Sequence, residues 1–286
     1  MSQQQVFNRP SPSEYKRLFR VAVLTSTAAG MLERQRARLQ ERVEILGVEI
    51  DNISQRQFLS ELTKGVIFTP NVDHLMKLQE DTEFQAAYRQ ADYKVCDSQI
   101  LMYASKLLGK PLKAKISGSD LLPLFCKYHK NNPDITIFLL GGAEGVAKQA
   151  QININANIGR DIVIAAHSPS FGFEKDEADS QTLIDIINGS GATVLAVGVG
   201  APKQELWIAK YRSQMPGVNI FMAVGAALDF EAGNKPRAPQ FWSDLGIEWL
   251  YRLMSEPRRL WKRYLLEDLP FFKLLLEQKL KQITKK

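Results

Sequence analysis

Short apolar strands that end in glycine and turn at once into helices limit what this chain can fold into. The stretch Val197-Gly-Val-Gly-Ala-Pro-Lys-Gln-Glu-Leu-Trp207 reads as a buried strand running through glycines into a helix. Gly198 and Gly200 let backbone approach a ligand closely, and Pro202 suits a first helical turn. The helix start offers unpaired N–H groups and a positive dipole end. Lys203, Gln204 and Glu205 follow directly and are expected to face the same mouth. A second strand, over 135–140, ends in Gly141-Gly142 and opens a helix near Ala143. Two such turns would line the carboxyl edge of one parallel sheet, where ligands of open α/β sheets bind. Tight strand–helix packing is the competing use of the same glycines.

The same alternation runs through most of the chain. Strands are expected at 45–50, 66–69, 93–96, 162–166, 193–199 and 218–224, with helical segments between them. Apolar strands alternating with helices of ten or more residues point to an α/β fold with a doubly wound, Rossmann-like parallel sheet. After Gly233 the alternation stops and the chain becomes helical, basic and aromatic. Ser255-Glu-Pro257 and Asp268-Leu-Pro270 read as helix starts. Three segments are therefore expected: an N-terminal extension over 1–44, mobile at first and then helical; a catalytic domain over 45–233; and a basic helical C-terminal appendage over 234–286.

Charge supports that division. From Lys235 onward there are 12 Lys or Arg against 6 Asp or Glu, so the last segment carries the whole net charge of +6. Its partner is expected to be anionic: a phosphate-bearing substrate, a membrane surface or nucleic acid. Leu260, Trp261, Tyr264 and Leu265 form an apolar stripe beside Arg259, Lys262 and Arg263, which suits a membrane interface. A helical pair packed on the sheet with a solvated basic face is the plainer reading. The modules of nucleic-acid binders are missing, so nucleic acid is set aside. Hydrophobic content of 45% fits a globular protein, and the run 220–228 is far shorter than a membrane span. No signal peptide pattern opens the chain, and Cys96 and Cys126 lie in apolar contexts, so a reducing, cytoplasmic setting is expected.

Candidate chemistry collects on the rim. Asp97 follows its strand directly, where a carboxylate could take a proton from a substrate hydroxyl. Capping the next helix is the competing role, and it would hold the pKa down. Thr69 and Asn71 occupy similar positions, with a strand-end hydroxyl and an N-cap as their plain readings. His74, His129 and His167 are scattered and no Asp-x-Asp pair occurs, so no metal or cofactor is expected. A departing diphosphate would then need cations and helix N-termini, with Lys115, Lys203, Arg237 and the C-terminal arginines available.

Taken in order, several motifs match a known family. They are Thr69-Pro-Asn71, Asp97, Ser117-Gly-Ser-Asp120, Gly141-Gly142, Gly198-Val-Gly-Ala-Pro-Lys-Gln-Glu205, Ala232-Gly233, Arg237-Ala-Pro239, Gly246-Ile-Glu-Trp-Leu-Tyr-Arg252 and Glu256-Pro-Arg258. From about residue 45 to 264 the chain resembles the WecG/TagA/CpsF glycosyltransferases. The resemblance implies transfer of an N-acetylmannosamine-like sugar from a UDP donor to a polyprenyl-diphosphate-linked saccharide, at the cytoplasmic face of the plasma membrane. It implies a metal-free, inverting single displacement with Asp97 as general base and Thr69 beside it. Asn71, Gln204 and the glycine turns would hold the donor. Arg237, Arg252, Arg259 and Lys262 or Arg263 would meet the lipid diphosphate.

This chain departs from the family pattern at three places. Ser98 stands where a glycine is usual, Lys115 where an arginine is usual, and Ala226-Ala227 replaces a glycine-rich turn. Lysine supplies a point charge rather than a bidentate fork. Donor sugar, acceptor saccharide, linkage and homo-oligomeric state are left open. The rival readings are a Rossmann-type oxidoreductase or methyltransferase, and a non-enzymatic module that binds anionic lipid. Against the first, the best Gly-x-Gly comes late, and no acidic residue ends the following strand to hold a ribose.

Overall fold

In the computed structural model the described residues are 41–237, 241–242 and 248–284, with backbone alone at Glu248, Arg252, Arg259 and Leu265. The extension expected over 1–44 therefore lies outside the described residues as far as residue 40.

The six strands of the main sheet are β3 (Gly65–Phe68), β4 (Tyr93–Lys94), β5 (Ile137–Gly141), β6 (Val163–His167), β7 (Val194–Gly198) and β8 (Ile220–Ala223). Their spatial order is β4-β3-β8-β7-β5-β6, and every neighbouring pair is parallel. This is the α/β sheet that the alternation predicts, with strands that read as apolar throughout because helices cover both faces.

Alternate strand residues feed two separate cores. Val66, Phe68, Leu140, Leu195, Val197 and Phe221 point to one face. There they meet α2 (Val72–Glu80), α3 (Thr82–Arg89), α4 (Gln99–Leu107), α7 (Glu177–Ser190) and α8 (Lys203–Tyr211). Ile67, Leu139, Ala196 and Met222 point to the other face. They meet α1 (Gln55–Glu61), α5 (Gly118–Tyr128), α6 (Val146–Ile158) and α9 (Ala227–Glu231).

The sequence expectation of one strand over 45–50 is corrected to a hairpin, β1 (Arg42–Ile45) and β2 (Val48–Asp51). Leu46 and Gly47 form the two-residue link with φ of 50° and 78°, the left-handed pair that a tight hairpin turn requires. Leucine is an unusual occupant of that conformation. Two contacts hold it there: the Leu46 N–H donates to Gln278 Oε1 at 2.9 Å, and its carbonyl accepts from Gln79 Nε2 at 3.1 Å. Asp51 Oδ2 then accepts the Lys94 N–H at 2.7 Å and ties the hairpin to the edge strand β4.

Gln278 belongs to the last helix. The C-terminal described residues form α10 (Glu248–Ser255), α11 (Pro257–Lys262), a π turn over Arg263–Glu267, and α12 (Pro270–Thr284). α11 and α12 start at the prolines that mark them in the sequence. The stripe expected from Leu260 to Leu265 is divided in the structure. Leu260 is buried, Trp261 is half exposed, and Tyr264 packs its ring 5.9 Å from that of Trp249. The side chain of Leu265 lies outside the described residues. α12 buries Phe271 and Leu275 in the first core and turns Phe272, Leu276, Leu280 and Ile283 outward, and Leu269 just before it is also exposed. Among the described residues no helix is long and apolar enough to cross a membrane.

Candidate active site

The carboxyl ends of β3, β4, β7 and β8 come together on one edge. Asn71 caps α2, with its Oδ1 accepting the His74 N–H at 3.1 Å, as the plain reading of this residue predicts. Its other end does something more, because Nδ2 donates to Asp97 Oδ2 at 3.3 Å. One side chain thus finishes a helix and holds the carboxylate. The Asp97 N–H donates to the Pro70 carbonyl at 2.9 Å, which fixes the loop after β4 against the loop after β3. Ser98, and not Asp97, is the N-cap of α4, since its hydroxyl accepts the Ile100 N–H at 3.2 Å. The residue that departs from the family pattern thus fills the capping role weighed for Asp97.

Thr69 is buried beside this pair, under the first turn of α5. A Cβ on Gly118 would lie 3.1 Å from Thr69 Oγ1 and 3.2 Å from the Val224 carbonyl, so the glycine lets α5 start over the β3–β8 junction. Ser117 caps that helix through the Asp120 N–H. Lys115 comes two residues earlier, and the Ile116 N–H donates to the Cys96 carbonyl at 2.7 Å, which brings Lys115 alongside Asp97.

The packing reading of the glycine turns applies at two residues, and a third glycine is left with open space. Gly141 and Gly198 serve packing: a Cβ on Gly141 would overlap the Gly198 carbonyl, and one on Gly198 would lie 2.6 Å from Leu228 Cδ1 and 2.7 Å from the Gly225 carbonyl. Gly142 adopts φ 72°, and its N–H donates to the Gly198 carbonyl at 3.2 Å. Gly200, at φ 86°, has open space where a Cβ would stand. The Ala201–Pro202 peptide is cis, and Pro202 stands as N-cap of α8. α6 begins at Val146, three residues past the expected Ala143, because Gly145 is left-handed at the helix start.

The three polar residues expected to face this mouth divide. Gln204 and Glu205 are 3% and 0% exposed, so their side chains point inward. Gln204 Oε1 accepts the N–H groups of Gly200 and Gly225 at 3.2 and 3.1 Å, and its Nε2 donates to Glu205 Oε1 at 2.8 Å. Burial pushes the Glu205 carboxyl up to about 7. Lys203 stays at the surface, 3.0 Å from Glu174 Oε1 and 4.6 Å from the centre of the Phe171 ring. Phe171, 97% exposed on the loop after β6, is a rim residue that sequence reasoning missed. An isolated aromatic beside Gly172 reads as loop, and only the fold brings it to Lys203.

Beneath Asn71 lies a buried polar layer. His74 Nδ1 is 2.6 Å from the Tyr88 hydroxyl, and burial drives the imidazole down to about 3. Asp73 pairs with Lys77 and, at 3.5 Å, with Arg263. Burial works to raise its pKa, but these two cations outweigh it and hold the carboxyl below the usual range.

Arg237, Arg263 and Lys262, all expected to meet phosphate, already have protein partners. Arg237 donates to Asp120 at 2.7 Å, to the Ser119 carbonyl at 2.9 Å and to Glu231 at 3.0 Å. Arg263 reaches Asp73 and, at 3.9 Å, Asp268. Lys262 is 3.6 Å from Glu267. Arg252 and Arg259 lie on α10 and α11, and their side chains are outside the described residues. Among the described residues no group of three or more His, Cys, Asp or Glu stands close enough together to hold a metal ion.

Residues 43–285 match the model of the glycosyl transferase WecG/TagA/CpsF family, which covers nearly the whole described chain. The chain belongs to the WecG/TagA/CpsF family. It is therefore a glycosyltransferase of the kind that acts in cell-surface polysaccharide synthesis, and the oxidoreductase, methyltransferase and non-enzymatic readings fall away. Membership in the WecG/TagA/CpsF family implies a sugar donor and a lipid-linked acceptor.

Proposed function

We propose that the protein moves an N-acetylmannosamine-like sugar from a UDP donor onto a hydroxyl of a polyprenyl-diphosphate-linked saccharide, with inversion and without a metal ion. The observation that carries this reading is the Asp97 carboxylate held by Asn71 at the carboxyl edge of the sheet, beside buried Thr69. An Asp97 oxygen takes the acceptor hydroxyl proton while the hydroxyl oxygen attacks the anomeric carbon from the face opposite UDP. The new C–O bond forms as the bond to the diphosphate breaks, and UDP leaves with the electron pair. Positioned proton transfer of this kind is worth about 10²–10⁴ in rate.

The donor diphosphate is read against the turns after β7 and β8, with Lys115 and Lys203 as candidate cations. Phe171 offers an open ring face at the same rim for the uracil. Arg237, in the segment after α9, and Arg252, Arg259, Lys262 and Arg263 of the C-terminal segment are read as the groups that meet the acceptor's diphosphate, at the cytoplasmic surface of the membrane. Arg237 and Arg263 are carboxylate-bound in this state, so phosphate binding there means exchanging one anionic partner for another.

Incubation with a panel of UDP-sugars and a short-chain polyprenyl-diphosphate saccharide, in EDTA, should give a mass-detected product carrying one added sugar. Product that appears only when divalent metal is restored would sink the metal-free mechanism. Asp97→Asn should lower kcat by about 10²–10⁴ while leaving UDP affinity within a few-fold. A variant that keeps its kcat would remove Asp97 as the base.

A further inference from the structure

We infer that Glu205 is a positioning residue for the donor subsite: it fixes the side-chain amide of Gln204, and that amide clips the turn after β7 to the turn after β8. The inference rests on the reading that the donor diphosphate lies against these two turns.

Gln204 makes three hydrogen bonds inside the protein. Its Oε1 accepts the Gly200 N–H at 3.2 Å from one turn and the Gly225 N–H at 3.1 Å from the other, and Nε2 donates to Glu205 Oε1 at 2.8 Å. The arrangement is satisfied in one orientation only. Turned over, the amide NH₂ would face two N–H donors, and its carbonyl would face a carboxyl oxygen. The two N–H groups and the Glu205 oxygen select the same orientation, with Glu205 holding the amide's NH₂ end.

The clip acts where there is no slack. β7 and β8 pair in register up to Val197 and Ala223, and the Gly198 Cα leaves no room for a Cβ against the Gly225 carbonyl. A few tenths of an ångström of slippage between the turns would displace both N–H groups. Stability gives little reason for a carboxyl at this place. Glu205 is fully buried, and its Oε2 has no hydrogen-bond partner among the described residues. A half-satisfied buried carboxyl costs free energy that a leucine of similar size would not. Apart from the contact with its own backbone N–H, the carboxyl bonds to Gln204 alone among the described residues, and orienting that amide is the role this bond performs.

The test compares UDP affinity by calorimetry and donor KM and kcat for the full chain and four variants: Glu205→Leu, Glu205→Gln, Gln204→Ala and the Gln204→Ala/Glu205→Leu pair. Glu205→Leu should weaken UDP binding and raise donor KM about tenfold, with a smaller change in kcat. Glu205→Gln retains an acceptor oxygen and should recover both to within about threefold of the parent. Added to Gln204→Ala, Glu205→Leu should do no further harm, because it acts through the missing amide. Should the leucine variant prove insoluble, Glu205→Met removes the acceptor with a more adaptable side chain. Unchanged UDP affinity in Glu205→Leu, full additivity in the pair, or a glutamine variant as impaired as the leucine variant would each overturn the inference. A parent chain that binds no UDP overturns the donor reading itself, which separates the two failures.

Discussion

Two buried residues of opposite protonation habit lie under the site, and their linkage to pH can be separated. His74 is held neutral, with its pKa down to about 3 from an ordinary 6.5. The unfolded chain takes up this proton first, so His74 lowers stability as pH falls from about 6.5 toward 3. Glu205 is raised to about 7 from an ordinary 4.5, so the folded chain keeps a proton that the unfolded chain releases. Its contribution is fully present below about 4.5 and is lost as pH rises to about 7. Asp268, raised by burial to about 6, acts in the same direction as Glu205. Between about 4.5 and 6.5 the histidine and Glu205 oppose each other, each with a limiting slope on the order of 1 kcal/mol per pH unit. Urea midpoints across this range should therefore fall more steeply with rising pH in His74→Gln than in the parent. The slope should move the other way in Glu205→Gln. Identical slopes in all three would mean that neither group titrates between the folded and unfolded states. Neither burial could be read from the sequence, where Gln204 and Glu205 follow a helix start and look like solvent-facing polar residues.

Among the elements, the seams that the β7 turn makes with the β5 and β8 turns are the tightest features. Gly198→Ala places a methyl against both Leu228 and the Gly225 carbonyl. It should destabilise the fold by about 3 kcal/mol or more, read as a thermal midpoint many degrees lower or as loss of soluble protein. A midpoint within a few degrees of the parent would show that the turns can separate. The hairpin offers a milder comparison. Gln278 accepts from the Leu46 N–H and donates to the Glu44 carbonyl at 3.2 Å, bridging α12 to β1 and its turn. Gln278→Ala should cost about 1–2 kcal/mol in denaturant unfolding, since it leaves a strained turn without its partner. No loss would assign the turn's conformation to Gln79 alone. The main-sheet strands were legible because apolar residues on both faces make continuous runs. The hairpin was not, because Leu46-Gly47 lacks the Asn-Gly signal and the flanks 45–50 read as one run. At the site, Asp97 and Asn71 were legible as rim residues, but their contact was not, because it crosses from one loop to another.

At the scale of the whole molecule, the C-terminal helices combine positive charge with two apolar faces. Burial of Phe271 and Leu275 contributes about 1.5–3 kcal/mol each to holding α12 on the first core. Phe272, Leu276, Leu280 and Ile283, with Leu269 just before the helix, form a second stripe facing away from it, with Lys273, Lys279 and Lys281 on the same helix. The proposed membrane contact then predicts binding to vesicles of anionic phospholipid that weakens as salt is raised. The Leu276→Ser/Leu280→Ser pair should weaken that binding without lowering the thermal midpoint, because both side chains point outward. Binding indifferent to salt and to the pair would remove the stripe from the contact. The sequence reading puts the apolar stripe earlier, at Leu260, Trp261, Tyr264 and Leu265, and Leu260 is claimed by the core because helical spacing alone cannot say which of two faces will be buried. The glycine seam has a further consequence for anyone wishing to re-engineer sugar preference. With Gly141 packed on the Gly198 carbonyl and Gly198 on the Gly225 carbonyl, neither position admits added bulk, and both can only be kept. On the proposed donor site, new selectivity has to be sought instead around the Phe171 loop, where an exposed side chain can be exchanged without disturbing a strand.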